Sequence, residues 1–222
     1  HQFTSDASHE LRTPLAAMQA ILNVTRERKR PPEEYETAMD DLSEETDRLR
    51  ALTEDLLYIA RGDARPATPY EEVNLSNLLI DVSESLRPMA ESKGLTLKQD
   101  IQNDLFIMGD SDALIRAFVN LLDNAIKYTE KGEIFVNAVR GVRKNIDILI
   151  SDTGRGIDPK HLPHIFERFY RVDESRTTQG FGLGLAIVHE IVRTHQGTIE
   201  ASSQIGFGTT FRLHFTGVDK GV

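Results

Sequence analysis

The 222-residue chain contains no cysteine. Without thiols there is no disulfide scaffold, no thiolate zinc site and no cysteine nucleophile, and such a chain suits a reducing compartment. No apolar run approaches the roughly 20 residues that span a bilayer. The first ten residues, HQFTSDASHE, lack the basic start and apolar centre of a signal peptide, so the chain as given is expected to be soluble. Basic charge is in deficit, with 26 Lys and Arg against 35 Asp and Glu, a formal net charge of -9 and a pI near 5.3. Nucleic acid is a poor partner for that surface. Internal repeats and low-complexity tracts are also missing. What is present, 39% hydrophobic and 27% charged residues, suffices for one or two packed domains.

Residues 1–61 have no glycine, and their only helix breakers are Pro14, Pro31 and Pro32. They read as two helices joined near RKRPPEE, a helical hairpin. In the second helix Tyr35, Met39, Leu42, Thr46, Leu49, Thr53, Leu56 and Ala60 recur in steps of four and three, flanked by Leu52 and Ile59. The first carries Phe3, Ala7, Leu11, Leu15, Met18 and Leu22. Two such helices bury too little apolar surface alone, so a second copy is expected to complete a dimeric four-helix bundle. Between residues 31 and 60, ten acids face only Arg48 and Arg50, a local -8. This reads as a solvated bundle face ahead of an electrostatic docking surface.

The stretch 62–73 reads as a linker, beginning with GDARPATPY, which loses periodicity and gains Gly and Pro. Residues 74–217 mix periods, and 218–222 read as a tail. A helix closed by Gly94 leads to strands at LTLKQDI and LFIMGD. A helix then runs from a Ser111 cap to near Gly132. Strands EIFVNAVR and KNIDILISD, a helix at GLGLAIVHEIVRTHQG and strands TIEASSQ and GTTFRLHF complete a mainly antiparallel sheet with helices on one face. The fold class is a helical hairpin followed by an α+β sandwich.

His9 falls about 160° from Leu11 on the first helix and faces water. Glu10 is positioned to accept a hydrogen bond from one ring nitrogen and leave the other as a neutral nucleophile. Thr13 lies one turn on, on the same face, and Pro14 removes a backbone donor. The string SHELRTPL (8–15) resembles the phosphoacceptor motif of sensor histidine kinases. That resemblance implies phosphorylation of His9, a base or orienting role for Glu10, and a water-positioning role for Thr13 in dephosphorylating a partner's phosphoaspartate.

In NLLDNAIKYT, Asn120, Asn124, Lys127 and Tyr128 share one helix face, presenting two amides, a cation and a ring. Amide oxygens suit Mg²⁺ and a lysine suits phosphate, although the same stripe also reads as exposed polar surface. After strand IDILI comes SDTGRGI, in which Asp152 can accept from an adenine amino group while Gly154 and Gly156 let backbone approach. GFGLGLAIV alternates Gly180, Gly182 and Gly184 and opens a helix, a place for phosphate at free N–H groups. It is neither a dinucleotide fingerprint nor a GxxxxGK[ST] loop. Residues 161–179 have the length of a lid, with Phe166, Phe169 and Tyr170 among charges, and with Arg168, Arg171 or Arg176 within reach of phosphate. His161 and His164 read as lid surface. GFGTTF carries Gly206, Gly208 and Thr209 before the last strand.

In order, NLLDNAIKYT, DTGRGI, FERFYRVD, GFGLGLAIV and GFGTTF resemble the N, G1, F, G2 and G3 boxes of the histidine-kinase ATP-binding domain, the Bergerat or GHKL fold. The resemblance covers nearly the whole chain. It implies ATP as substrate, Mg²⁺ on Asn120 and Asn124, and adenine read by Asp152 in the turn of Gly154 and Gly156. It further implies lining by Tyr128 and phosphate contacts from Lys127, Arg171 and the loop Gly180, Gly182, Leu183, Gly184 and Leu185. Thr209 completes the site, and Phe166 and Phe169 clamp the lid. Gyrase-like ATPases of this fold carry Glu at the first position of the N box, where this chain has Asn120. An amide cannot serve as a general base, so hydrolysis is expected to be slow and the γ-phosphate kept for His9.

The expected partners are a second copy of the chain and a response-regulator receiver domain, with no nucleic acid. The expected location is cytoplasmic. The eight residues before His9 suggest a piece of a longer protein whose sensor, with any membrane span, precedes His1. The alternative function is a nucleotide-sensing dimeric module without phosphotransfer.

Overall fold

A computed structural model describes residues 2–61, 70–172 and 180–219. The chain divides into two units, 1–64 and 65–222. The first is a hairpin of α1 (Gln2–Arg26) and α2 (Pro32–Arg61). Pro32 occupies the first turn of α2, where its missing N–H costs nothing, and Glu33 and Glu34 follow at the positive end of the helix dipole. Arg30 ties the two helices together. Its guanidinium donates to the Val24 carbonyl at 2.7 Å and to Glu34 at 2.5 Å, while its backbone N–H meets the Tyr35 hydroxyl at 3.3 Å.

The seam between the helices is rotated from the one expected. Leu52 is fully buried and Ile59 nearly so, whereas Tyr35 and Met39 are exposed. On α1 the buried residues are Ala7 and Pro14, while Leu15 and Leu22 point outward. The reason is geometric: a 3.6-residue helix whose apolar stripe is wider than one seam can give only part of it to a single neighbour. Pro14, expected to disturb the helix, lies inside α1 and is buried. Exposed Leu15, Leu22, Val24, Met39 and Leu57 leave the hairpin with uncovered apolar surface.

The second unit begins at Tyr70 among the described residues. Strand β1 (Glu71–Asn74) pairs antiparallel with β3 (Phe106–Gly109), Val73 opposite Ile107. Residues 71–73, read as linker, are therefore strand, because Val73 finds a buried partner far along the chain. Residues 62–69 of that linker lie outside the described residues. Helix α3 (Leu75–Ser92) is capped by the Asn74 side chain, and Gly94 follows it at φ +72°. Strands β2 (Leu95–Ile101), β4 (Gly132–Arg140), β5 (Asn145–Asp152), β7 (Gly208–Thr216) and β6 (Thr198–Gln204) form one sheet in the order β2-β4-β5-β7-β6. Only the β2–β4 pair is parallel.

Helix α4 (Ser111–Tyr128) and α5 (Gly184–Thr194) pack with α3 against one sheet face. Leu114, Phe118, Leu121 and Leu122 meet the inward rows that include Ile134, Val136, Ile148, Ile150, Leu213 and Phe215, all buried. The alternation along each strand leaves the other face partly open, as an antiparallel sheet allows. The structure thus has the expected hairpin and α+β sandwich.

Two local expectations change. Asp110, not Ser111, caps α4 by accepting from the Ala113 N–H at 3.0 Å. Val218, read as tail, donates to the Phe106 carbonyl at 2.7 Å and extends the β3 edge. Buried His195 holds α4 against α5, which no sequence pattern announced. Its Nε2 accepts from the Asp110 N–H at 2.9 Å and its Nδ1 donates to the Ile191 carbonyl at 2.7 Å. Tyr70 stacks on its ring at 4.9 Å. No described helix is long and apolar enough to cross a membrane.

Candidate functional site

In the hairpin, the His9 side chain is 72% exposed, as the helical phase of α1 requires. Glu10 Oε1 stands 3.7 Å from His9 Nδ1. This is ion-pair range rather than the expected hydrogen bond, because successive helical residues point about 100° apart and the carboxylate reaches the ring sideways. Thr13 lies on the same face one turn on and donates its hydroxyl to the His9 carbonyl at 3.4 Å.

In the second unit the polar face of α4 meets the loops that follow β5 and precede α5. Asn120 donates its amide to the Arg116 carbonyl at 3.0 Å. That fixes the flip of the side chain and turns the oxygen toward the start of α5, where a Cβ on Gly184 would lie 2.8 Å from it. Asn124 is half-buried one turn on. The Lys127 ammonium stands 3.2 Å from where Gly180 would carry a Cβ, and 5.1 Å from the Tyr128 ring centre. Asn120, Lys127 and Tyr128 therefore border the glycine loop and the turn, with Asn124 between them along the helix.

Asp152 ends β5. Its Oδ1 accepts from the Gly154 N–H at 2.8 Å and the Thr209 N–H at 3.3 Å. Among the described residues Oδ2 has no such donor. Burial holds this carboxyl above the ordinary Asp range, although the two N–H groups pull it down. The turn beneath is too tight for side chains at two points. A Cβ on Gly154 would lie 2.4 Å from the Tyr128 carbonyl, and one on Gly156 (φ +72°) would lie 2.1 Å from that of Gln204. Buried Thr209 shares a 2.9 Å hydroxyl contact with Ser203, which also donates to the Gly208 carbonyl and accepts from the Ile157 N–H. Ser203 thus joins the DTGRGI and GFGTTF turns. Sequence reasoning missed it, since a serine in a strand carries no signal of what loops back to it.

The loop before α5 is shaped by close approach as well. Gly182, at φ +70°, lets its backbone run against Phe169 and Tyr170, and its carbonyl accepts from the Phe169 N–H at 2.9 Å. Leu183 is buried and Leu185 half-buried. No side chain caps α5, so its leading N–H groups are available to an anion. Phe166 packs on His189 and edge-on to Phe211, and Arg171 is half-buried. His161 is not bare surface: its Nδ1 meets the Tyr170 hydroxyl at 2.7 Å, and His164 pairs with Glu167 at the same distance. Arg176 and the rest of 173–179 lie outside the described residues. No cluster of three or more His, Cys, Asp or Glu that could hold a metal occurs among the described residues.

Comparison with known proteins agrees with this layout. The family described as "His Kinase A (phospho-acceptor) domain" matches residues 1–65, and "Histidine kinase-, DNA gyrase B-, and HSP90-like ATPase" matches residues 109–217. The chain is 36% identical over 214 residues to sensor histidine kinase YclK of Bacillus subtilis, covering 95% of this chain and 45% of YclK. It is 34% identical over 212 residues to sensor histidine kinase CusS of Escherichia coli K12, covering 94% and 44%. It thus spans less than half the length of these curated relatives. Full-length ShkA in complex with AMPPNP superposes with a TM-score of 0.75 at 26% identity, over 100% of this chain and 46% of that one. ThkA in complex with response regulator protein TrrA gives 0.80 at 20% identity, over 98% and 62%, a likeness of fold. A phospho-acceptor domain on the hairpin and a histidine-kinase-like ATPase domain on the sandwich thus occur together in one chain, which belongs to the two-component histidine kinases as a catalytic core.

Proposed function

We propose that the chain is an ATP-dependent protein-histidine kinase core that phosphorylates His9 and passes the phosphoryl group to a response-regulator aspartate. The observation that carries this reading is the coexistence of an exposed His9–Glu10 pair with one bordered cradle of Asn120, Lys127, Asp152 and the Gly180–Gly184 loop. Asp152 Oδ2 accepts the amino group of adenine, and Tyr128 lines the base. Lys127 and the free N–H groups of α5 neutralise the phosphates, assisted by Arg171. The amide oxygens of Asn120 and Asn124 fit Mg²⁺, which when bound would offset triphosphate charge.

With His9 Nδ1 turned toward Glu10, Nε2 is the nucleophile. A bond forms from Nε2 to the γ-phosphorus, the bond to the bridging oxygen breaks, and ADP leaves. Glu10 stabilises the positive charge that develops on the ring and takes the Nδ1 proton. Asn120 supplies no base for water, so the triphosphate persists until His9 arrives.

Thr13 supports a second activity. Its hydroxyl, next to His9, orients water for hydrolysis of the regulator's phosphoaspartate. Thr13→Ala is expected to leave autophosphorylation within about twofold of the native chain, as befits an exposed side chain, and to slow loss of label from a phosphorylated receiver domain. Equal rates of label loss would remove Thr13 from the phosphatase role. The uncovered Leu15, Leu22, Met39 and Leu57 support a homodimer through the hairpin, and the family supports a cytoplasmic setting for this core.

The test is incubation of the chain with Mg²⁺ and γ-labelled ATP. Acid-labile, base-stable label on the protein is the expected result. Bound ATP with no label transferred would leave a nucleotide-sensing module instead.

A further inference from the structure

The DTGRGI turn admits a side chain at only one of its three central positions. Gly154 and Gly156 are hemmed in by the carbonyls of Tyr128 and Gln204, and between them stands Arg155. Its backbone is held at both ends, the N–H donating to the Tyr128 carbonyl at 3.2 Å and the carbonyl accepting from the Gly206 N–H at 2.8 Å. The Cα is therefore fixed relative to α4 and to the β6–β7 turn. From this fixed point the guanidinium carbon reaches 4.8 Å from the centre of the Tyr128 ring. A planar, delocalised cation over a tyrosine face is an attractive arrangement, and arginine makes it better than lysine because its plane stacks on the ring.

We infer that Arg155 is a positioning residue for nucleotide binding, setting the Tyr128 ring as the wall of the adenine subsite. The inference rests on the nucleotide reading given above. Tyr128 is the last residue of α4, where the helix hydrogen bonds end and an aromatic side chain has more than one rotamer open to it. Arg155 selects among these before the base arrives, so the binding free energy is not spent on ordering the ring. Lys127 touches the same ring from the adjacent position, yet its ammonium borders Gly180 on the phosphate side. The two cations thus divide the work.

The experiment measures Mg²⁺-ATP affinity by calorimetry, and KM and kcat for labelling, in the full chain. Arg155→Ala is expected to raise Kd and KM about three- to tenfold with kcat unchanged, with Arg155→Lys recovering part of the loss. In a Tyr128→Leu background Arg155→Ala is expected to change affinity less than twofold, because the ring through which it acts is gone. An unchanged affinity in Arg155→Ala overturns the inference. So does the same loss in the Tyr128→Leu background, which would mean that Arg155 touches nucleotide directly, or tighter binding, which would mean that it blocks the site. A melting temperature that falls in step with affinity would make the role structural and also overturn it. If the native chain binds no ATP, the nucleotide reading itself fails, and this inference with it.

Discussion

His9→Gln is expected to abolish transfer of label from γ-labelled ATP while leaving ATP binding as it was. Glutamine is a good helix former, His9 is exposed, and its ring makes only a 3.7 Å approach to Glu10, so the hairpin should lose less than about 0.5 kcal/mol. Nothing else on that face replaces the imidazole. The Thr13 hydroxyl donates to the His9 carbonyl and not to a carboxylate that could activate it. The nucleotide residues belong to a separate unit of the chain. Affinity for Mg²⁺-ATP, measured by calorimetry, should therefore match the native value within error. Residual labelling above a few per cent would show a second nucleophile.

Asp152→Asn is expected to remove nucleotide binding without harming the fold. The Oδ1 atom already accepts from Gly154 and Thr209, and an asparagine oxygen would take the same place. That choice turns the new NH2 group toward the amino group of adenine, setting donor against donor where the carboxylate accepted. A lost hydrogen bond together with a buried unpaired donor costs about 2–3 kcal/mol, or about a hundredfold in Kd. Stability moves the other way. Burial raises the Asp152 pKa, so the folded protein holds this proton more tightly than the unfolded chain. The associated stability is present below the unfolded pKa of about 3.9 and is lost as pH rises through the raised folded value. At neutral pH the ionised carboxylate is thus a cost that the neutral amide avoids, and the melting temperature of Asp152→Asn should equal or exceed that of the native chain. For ATP the pH dependence is opposite in sense, affinity falling as acid protonates Asp152 at a pH above that of a solvated aspartate. A variant that loses both binding and stability would mean that Asp152 is chiefly structural.

How much of this was legible depends on the range of the interactions. The face formed by Asn120, Asn124, Lys127 and Tyr128 follows from helical spacing alone, and glycines at 180, 182 and 184 announce close approach without naming the neighbour. The neighbours come only from folding: Lys127 for Gly180, the Phe169–Tyr170 backbone for Gly182, and Asn120 for Gly184. The hairpin was legible as a pair of helices but not in its seam. The periodicity of α2 favoured Thr53 and Ala60, yet packing took Leu52 and Ile59, because a stripe wider than one interface has no single centre. Residues 71–73 of β1 read as linker since so short a strand carries too little pattern, and its pairing lies some 35 positions away. His195 and Ser203 were invisible for a related reason: each serves groups that are distant in sequence. Ser111 was preferred to Asp110 as the α4 cap because both residue types cap well, and only backbone geometry chooses between them.

The most direct measurement is to locate the phosphoryl group by mass spectrometry, under neutral or basic conditions, after incubation of the chain with Mg²⁺ and ATP. The account requires a single phosphate on the His9 imidazole, in a peptide containing SHELRTPL. Phosphate on any other residue, or a chain that binds ATP and returns it with His9 unmodified, would contradict it.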